Sequence, residues 1–160
     1  TFLEKLRKGE EYNVYPFVSE VDAVSKGIRR IYGCGSGLGF GSVDIKGNLY
    51  PCMRFIGQDD YVIGHVETGF TDNRQKFYDR SIYNRPRCKE CWARHLCGGA
   101  CVAVQVECGD TLESNHDMVC QIAMRMAELA MYASTVIAKE GLDFDMRKLT
   151  VNDFIRRRFS

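Results

Sequence analysis

Eight cysteines are the residues of this 160-residue chain whose type and spacing could do chemistry. Four of them fall in one short run, CKECWARHLCGGAC, which starts at Cys88. A CX2C pair such as Cys88 and Cys91 lets two sulfurs reach one centre, as at zinc and iron-sulfur sites. Cys97 and Cys101 have the four-residue spacing that places two side chains on one face of a helix. The run therefore predicts a metal centre rather than thiols that pack as small apolar side chains.

Zinc and iron-sulfur clusters are the two alternatives for these thiols. A structural zinc uses four ligands, so eight cysteines could close two such sites. The common zinc pattern has two CX2C knuckles, whereas here one CX2C exists and the other cysteines arrive singly. Glycines beside cysteines suit a bulky cluster that the backbone approaches closely; here they are Gly33, Gly35, Gly37, Gly98 and Gly99. We therefore favour iron-sulfur clusters.

Composition argues against several other classes of protein. The formal net charge is +1, which provides no positive field for nucleic acid or an anionic membrane surface. The apolar stretch 118–138 contains Gln121, Arg125 and Glu128, which a membrane-spanning helix would bury at a cost. The chain starts at Thr1 without a signal-peptide pattern, so we expect a fragment of a cytoplasmic protein, in a compartment where unbound thiols stay reduced.

The elements that must position the cysteines are predicted to be helices and one β-hairpin. Residues 1–31 indicate helices, with Pro16 at a helix start and Gly27 at its end. Apolar residues at three- and four-residue steps predict a long helix over residues 118–138. Ser114 or Asn115 is its predicted cap, and residues 142–160 are predicted to be a solvated helical tail.

Between the helices, the glycine-rich residues 33–41 are predicted to form a loop. Residues 42–45 and 49–52 alternate around Lys46-Gly47-Asn48 and predict a hairpin. Residues 57–69 are predicted to be a loop, and residues 72–83 a surface helix. We therefore expect an α+β fold, a small β-hairpin plus helices built around two iron-sulfur clusters.

The cysteine pattern resembles the SPASM motif, the seven-cysteine signature of the auxiliary-cluster domain of radical SAM enzymes that modify peptides and proteins. The pattern is Cys34, twelve residues, Gly47, four residues, Cys52, a gap, CX2CX5CX3C from Cys88 to Cys101, a gap and Cys120. The resemblance covers about residues 34–120. It implies three segments: the end of a catalytic partial barrel with its bridge at 1–33, the SPASM domain at 34–140, and a C-terminal extension at 141–160.

The resemblance implies two 4Fe-4S clusters and divides the cysteines between them. The first, substrate-side cluster would be bound by Cys34, Cys52 and Cys101. The second, outer cluster would be bound by Cys88, Cys91, Cys97 and Cys120. Spacing alone does not make this division, since Cys97 and Cys101 are predicted to be neighbours on one helix.

Two departures from the pattern narrow the resemblance. Anaerobic sulfatase maturases, which the chain also resembles, have a further cysteine where this chain has Ile28, and an aspartate where it has Met53. With three protein ligands, the first cluster would keep an open iron, as in maturases that form thioether crosslinks from peptide cysteines. The resemblance thus implies a cysteine-containing peptide or protein substrate and a thioether product. A sulfatase-maturase-like reaction or another peptide modification is the alternative.

The chain lacks the CX3CX2C motif that holds the cluster which cleaves S-adenosylmethionine in radical SAM enzymes. We therefore expect it to be inactive alone and to serve an oxidoreductase whose N-terminal radical SAM domain supplies S-adenosylmethionine and a third 4Fe-4S cluster. An external electron donor or acceptor is the other implied partner. Two alternatives from other classes are a zinc-stabilised interaction module and a ferredoxin-like electron carrier.

A few other residues carry weaker expectations. Cys108 is the cysteine outside the seven and is predicted to lie in a turn between two helices; as a fourth ligand of the first cluster it would close the open site. Trp92 is predicted to pack over a cluster and exclude water. Structural roles are predicted for the three histidines, which show no spacing that builds a site: His65, His95 and His116.

Overall fold

The computed structural model describes residues 1–10, 14–109, 111–113 and 115–146. In this part of the chain it contains seven α-helices and one small antiparallel sheet, which confirms the predicted α+β class. The contacts divide the chain into two compact units. The helical unit is Thr1–Arg29 with the described part of Met124–Ser160, and the cysteine unit is Arg30–Ala123. All eight cysteines lie in the cysteine unit.

The helical unit has its own apolar core. Helix α1, Phe2–Arg7, starts with a capping box made by Thr1 and Glu4. Helix α2, Tyr15–Ser25, has a proline in its first turn. Gly27 beyond it has a φ of +64°, so both predicted signals are confirmed. The buried core residues are Phe2, Val18, Val21, Ala130, Ala133 and Ile137.

The long C-terminal helix, α7, runs from Asp117 to Glu140 and confirms the prediction over residues 118–138. It begins two residues after Asn115; Ser114, the other predicted cap, lies outside the described residues. Its buried face carries alanines such as Ala130, whereas the large side chains Met118 and Ile122 are 53% and 60% exposed. Most of the predicted tail, residues 147–160, also lies outside the description. Among the described residues, no helix has the length and apolar character needed to cross a membrane.

The sheet lies in the cysteine unit and has the order β1-β2-β3-β4. Its strands are β1 Ser42–Val43, β2 Asn48–Tyr50, β3 Gly64–His65 and β4 Gly69–Phe70. The first pair is the predicted hairpin with shorter strands, in the register Ser42 opposite Tyr50. The segment 57–69 is not only a loop, because it supplies the other two strands.

The hairpin turn is built around the Asp44 carboxylate. It accepts hydrogen bonds from the backbone N–H groups of Lys46 and Asn48 at 2.8 and 2.9 Å, which is an Asx-type turn. Gly47 completes the turn with a φ of +89°. The Asn48 side chain, as the largest influence, lowers the pKa of Asp44, so the carboxylate that organises the turn stays charged. The turn therefore fixes where β2 begins, and Cys52 follows two residues after the last residue of this strand.

The remaining helices of the cysteine unit are short. They are α3 Gln75–Tyr78, α4 Pro86–Lys89, α5 Arg94–Cys97 and α6 Val102–Glu107. The surface helix predicted over residues 72–83 is reduced to a 3₁₀ turn and α3. The segment is also not wholly on the surface, since Phe77 is buried in the core. That core consists of Tyr50, Phe55, Ile63, Phe77, Val102, Ala103 and Leu112.

Candidate metal centre

Cys97 and Cys101 do not share a helix face, so that prediction is wrong. Cys97 is the last residue of α5, and Cys101 is the residue before α6. The three residues between them have left-handed φ angles, which end a helix: Gly98 at +65°, Gly99 at +92° and Ala100 at +59°. Although four residues apart in sequence, the two thiols therefore belong to different elements.

A close approach of two backbone segments brings Cys34 to Cys101. A Cβ on Gly33 would lie 2.3 Å from the Ala100 carbonyl oxygen, and one on Gly98 would lie 2.4 Å from that of Tyr32. Only glycine allows this contact. At Gly33 and Gly98 the missing side chain makes room for a backbone contact, and a close approach of the same backbone to a cluster stays a prediction.

Two buried polar side chains hold the left-handed bend. Arg85 and Gln105 donate hydrogen bonds to the Gly99 carbonyl oxygen at 2.8 and 2.7 Å. Arg85 also donates to Gln105 at 2.5 Å, and the two residues are 2% and 0% exposed. Sequence reasoning missed both residues. Their buried network fixes the direction in which the chain leaves Cys97 and reaches Cys101.

The first thiol group is Cys34, Cys52 and Cys101. The Gly37 N–H donates to the Pro51 carbonyl oxygen at 3.0 Å, which ties the loop after Cys34 to the residue before Cys52. Burial raises the pKa of the Cys34 thiol, the Ser36 N–H opposes this by donating to its sulfur, and negative charge on Cys101 and Cys52 raises it again. Cys34 therefore lies within electrostatic range of Cys52 and Cys101, and their binding of one cluster stays a prediction.

The second thiol group is Cys88, Cys91, Cys97 and Cys120. The Asn115 side chain donates to the Cys88 sulfur at 3.3 Å and also to that of Cys120. Burial raises the pKa of the Cys97 thiol, backbone N–H groups of the bend lower it, and charge on Cys88 and Cys120 raises it. The Cys91 N–H donates to the Cys88 carbonyl oxygen at 3.1 Å. The helices α4 and α5 and the start of α7 therefore meet at these sulfurs.

The two groups differ in their exposure to solvent. Cys34 and Cys101 are exposed, whereas Cys88 of the second group is buried; Cys52, Cys91, Cys97 and Cys120 are intermediate. Met53, beside Cys52, is 76% exposed. The first group is therefore the one that an external molecule can approach directly.

Arginines surround both thiol groups. Arg54 lies 4.0 Å from the Cys101 sulfur and forms an ion pair with Glu107. Arg87 forms an ion pair with Asp117, and its positive charge attracts negative charge on Cys120 and Cys91. The positive charge of a third arginine, Arg80, interacts with thiolate charge on Cys34 and Cys101 of the first group and on Cys88 of the second. Positive charge at this site favours the thiolate form that metals bind.

The donor set fits iron-sulfur clusters. It offers seven thiols in two groups, with amide donors to the sulfurs of Cys34, Cys97 and Cys88, and such hydrogen bonds tune clusters. Within the described ranges, no three His, Cys, Asp or Glu side chains converge around the position of a single ion.

The other predicted residues lie around these groups. Cys108 follows α6 in a turn with Gly109, as predicted; at 1.5 Å per residue, it is about 10 Å along the helix from Cys101. The His65 ring contacts the Lys46 carbonyl oxygen at 2.9 Å. Trp92 is 53% exposed, and its packing over a cluster stays a prediction. The Nδ1 atoms of His95 and His116 are buried without a hydrogen-bond partner among the described residues.

Comparison with known proteins adds no family to these observations. No family model matches the chain, and no curated protein matches its sequence significantly. The cysteine pattern and the arrangement of the thiols are therefore the features of this chain that bear on its function.

Proposed function

We propose that this chain is the auxiliary-cluster domain of a radical SAM enzyme that modifies a peptide or protein. One observation supports the proposal: Cys34 interacts electrostatically with Cys52 and Cys101, Cys97 interacts with Cys88 and Cys120, and Cys97 and Cys101 lie in different elements. The pattern alone made that division by resemblance. The left-handed bend at Gly98–Ala100 supports it with a physical reason.

Each thiol group would hold one 4Fe-4S cluster. The second group offers four thiolates, a complete ligand set: Cys88 on α4, Cys91 between α4 and α5, Cys97 on α5 and Cys120 on α7. The first group offers three thiolates and is the more exposed of the two. When bound, the clusters would supply one-electron transfer and, at the first group, an iron with room for an external sulfur ligand.

The exposure of Cys34 and Cys101 supports a substrate that binds at the first group. Its neighbour Met53 is exposed and apolar where sulfatase maturases carry an aspartate, so this position offers no carboxylate for proton transfer. A substrate cysteine bound there would be held at one geometry beside the reacting carbon, which favours a thioether product.

The proposal includes partners that this chain does not contain. An N-terminal radical SAM domain would supply S-adenosylmethionine and a third 4Fe-4S cluster, and an external protein would donate or accept electrons. Eight free cysteines suit a reducing, cytoplasmic location.

The test of the proposed function is the metal content of anaerobically prepared protein. We expect a brown protein with about eight iron and eight sulfide per chain, as two 4Fe-4S clusters require. A colourless protein with two zinc ions would contradict the proposal and indicate an interaction module. Fast electron exchange with small redox proteins, together with no response to a peptide, would indicate an electron carrier.

A second experiment tests the open position at the first group. A substrate peptide that contains cysteine should change the absorption and paramagnetic spectra of the reconstituted protein, because its thiolate becomes an iron ligand. The same peptide with serine should leave them unchanged. Cys108→Ala is the matched control and should respond as the wild type does. A ligand lost in Cys108→Ala, or no response to the thiol peptide, would contradict the thioether mechanism.

A further inference from the structure

A small cavity beside Cys34 is lined by two residues that each have a buried polar atom without a hydrogen-bond partner among the described residues. It measures about 10 Å³, close to the space that one water needs. Cys34, Ser36 and Arg80 are among the residues that line it. Neither the Ser36 hydroxyl nor Nη2 of Arg80 has a hydrogen-bond partner among the described residues, and Ser36 is only 5% exposed. Buried donors of this kind are rare, so an acceptor is expected beside them.

Arg80 interacts electrostatically with both thiol groups. Its charge interacts with Cys34 and Cys101 of the first group and with Cys88 of the second. Its Nε donates to the Leu112 carbonyl oxygen at 2.7 Å, which fixes the side chain. Burial, followed by repulsion from Arg85, lowers the pKa of Arg80 to about 10, so the guanidinium is still charged at neutral pH.

A buried cation beside another cation is costly unless negative charge compensates it. A cubane core held by thiolates carries net negative charge and has sulfur atoms that accept hydrogen bonds. Arg80 and Ser36 supply a cation and two donors beside Cys34, one of the three thiols of the first group. The cation needs a negative charge nearby, and the cluster sulfurs accept hydrogen bonds, so each would satisfy the other.

We infer that Arg80 sets the reduction potential of the cluster held by Cys34, Cys52 and Cys101, and raises it by placing a partly buried positive charge beside the cluster sulfurs. This inference rests on the proposed function. It adds a specific role for a residue outside the cysteine pattern. Its charge also reaches Cys88, so the second cluster should feel the same residue more weakly.

Arg54 offers a matched comparison at the same thiol group. It lies 4.0 Å from the Cys101 sulfur, but its side chain is 42% exposed and it is paired with Glu107. Water and the carboxylate therefore screen its charge. If distance to a thiol alone set the effect on the reduction potential, Arg54 would have as large an effect as Arg80. If screening by water and carboxylates decides, Arg80 has the larger effect.

The experiment is an anaerobic redox titration of the reconstituted chain with dithionite, followed by paramagnetic resonance, on Arg80→Gln, Arg80→Lys and Arg54→Gln. We expect Arg80→Gln to reduce the reduced-to-oxidised ratio of the first cluster about tenfold or more at a fixed potential, which is 59 mV or more for one electron. Arg80→Lys should retain most of the wild-type ratio because it keeps the charge. Arg54→Gln should change the ratio much less.

The outcomes separate this inference from the proposed function. Wild-type protein without iron would contradict the proposed function. Normal iron content in Arg80→Gln with an unchanged potential would overturn the role of Arg80 alone. If Arg80→Gln fails to retain iron while Arg80→Lys retains it, the potential of Arg80→Lys decides: a value close to that of the wild type supports the inference, and a value shifted by about 59 mV or more overturns it. If both variants lose iron, the shape of arginine matters rather than its charge, and the inference is overturned.

Discussion

Removing iron with a chelator under anaerobic conditions will unfold much of the cysteine unit and leave the helical unit folded. Cys88 and Cys97 of the second thiol group lie on α4 and α5, which have four residues each, far below the length at which isolated helices persist in water. Metal ligation contributes about 10–16 kcal/mol in zinc-finger peptides, whereas whole domains are stable by about 5–15 kcal/mol. Loss of the metal therefore outweighs what the remaining contacts of these helices supply.

Amide hydrogen exchange measured by mass spectrometry checks this prediction segment by segment. We expect residues 86–101 to lose protection after chelation. The helical unit is an internal control, because it contains no cysteine and has a separate core around Val18, Val21 and Ala130. Equal protection of residues 86–101 before and after iron removal would show that ligation does not stabilise this unit.

The parts of the fold that the sequence could predict have strong local signals. Helix α7 follows from apolar periodicity over many residues, and the hairpin follows from Gly47 and Asn48 between alternating segments. Strands β3 and β4 have two residues each, too few to show alternation. They form because β2 pairs with β3 and β3 with β4. The sequence of such a short strand does not indicate which segment it pairs with.

The site shows the same division between local and tertiary information. Cysteine spacing identified the candidate ligands, but the rule that residues four apart share a face assumes a helix. The consecutive glycines Gly98 and Gly99 were a local signal against that helix, and the structure shows their effect. Arg80, Arg85 and Gln105 gave no such signal, because the burial of a polar side chain depends on contacts with distant segments.

The single alanine variants Cys97→Ala and Cys101→Ala should damage different clusters. Each is expected to lose about four of the eight iron atoms rather than all of them, because each thiol group would hold one 4Fe-4S cluster under the proposed function. The spectra that remain should differ: Cys97→Ala keeps the cluster of the exposed first group, and Cys101→Ala keeps that of the second. Iron analysis and paramagnetic resonance on anaerobic samples measure both effects.

Two sets of variants make this test decisive. Alanine at Cys88, Cys91 or Cys120 should reproduce the residual spectrum of Cys97→Ala, and alanine at Cys34 or Cys52 should reproduce that of Cys101→Ala. Cys108→Ala should keep all of the iron. Identical spectra for Cys97→Ala and Cys101→Ala would place both thiols on one cluster. Because the left-handed bend at Gly98–Ala100 directs the two thiols into different groups, such a result would also contradict the structural reason for the division.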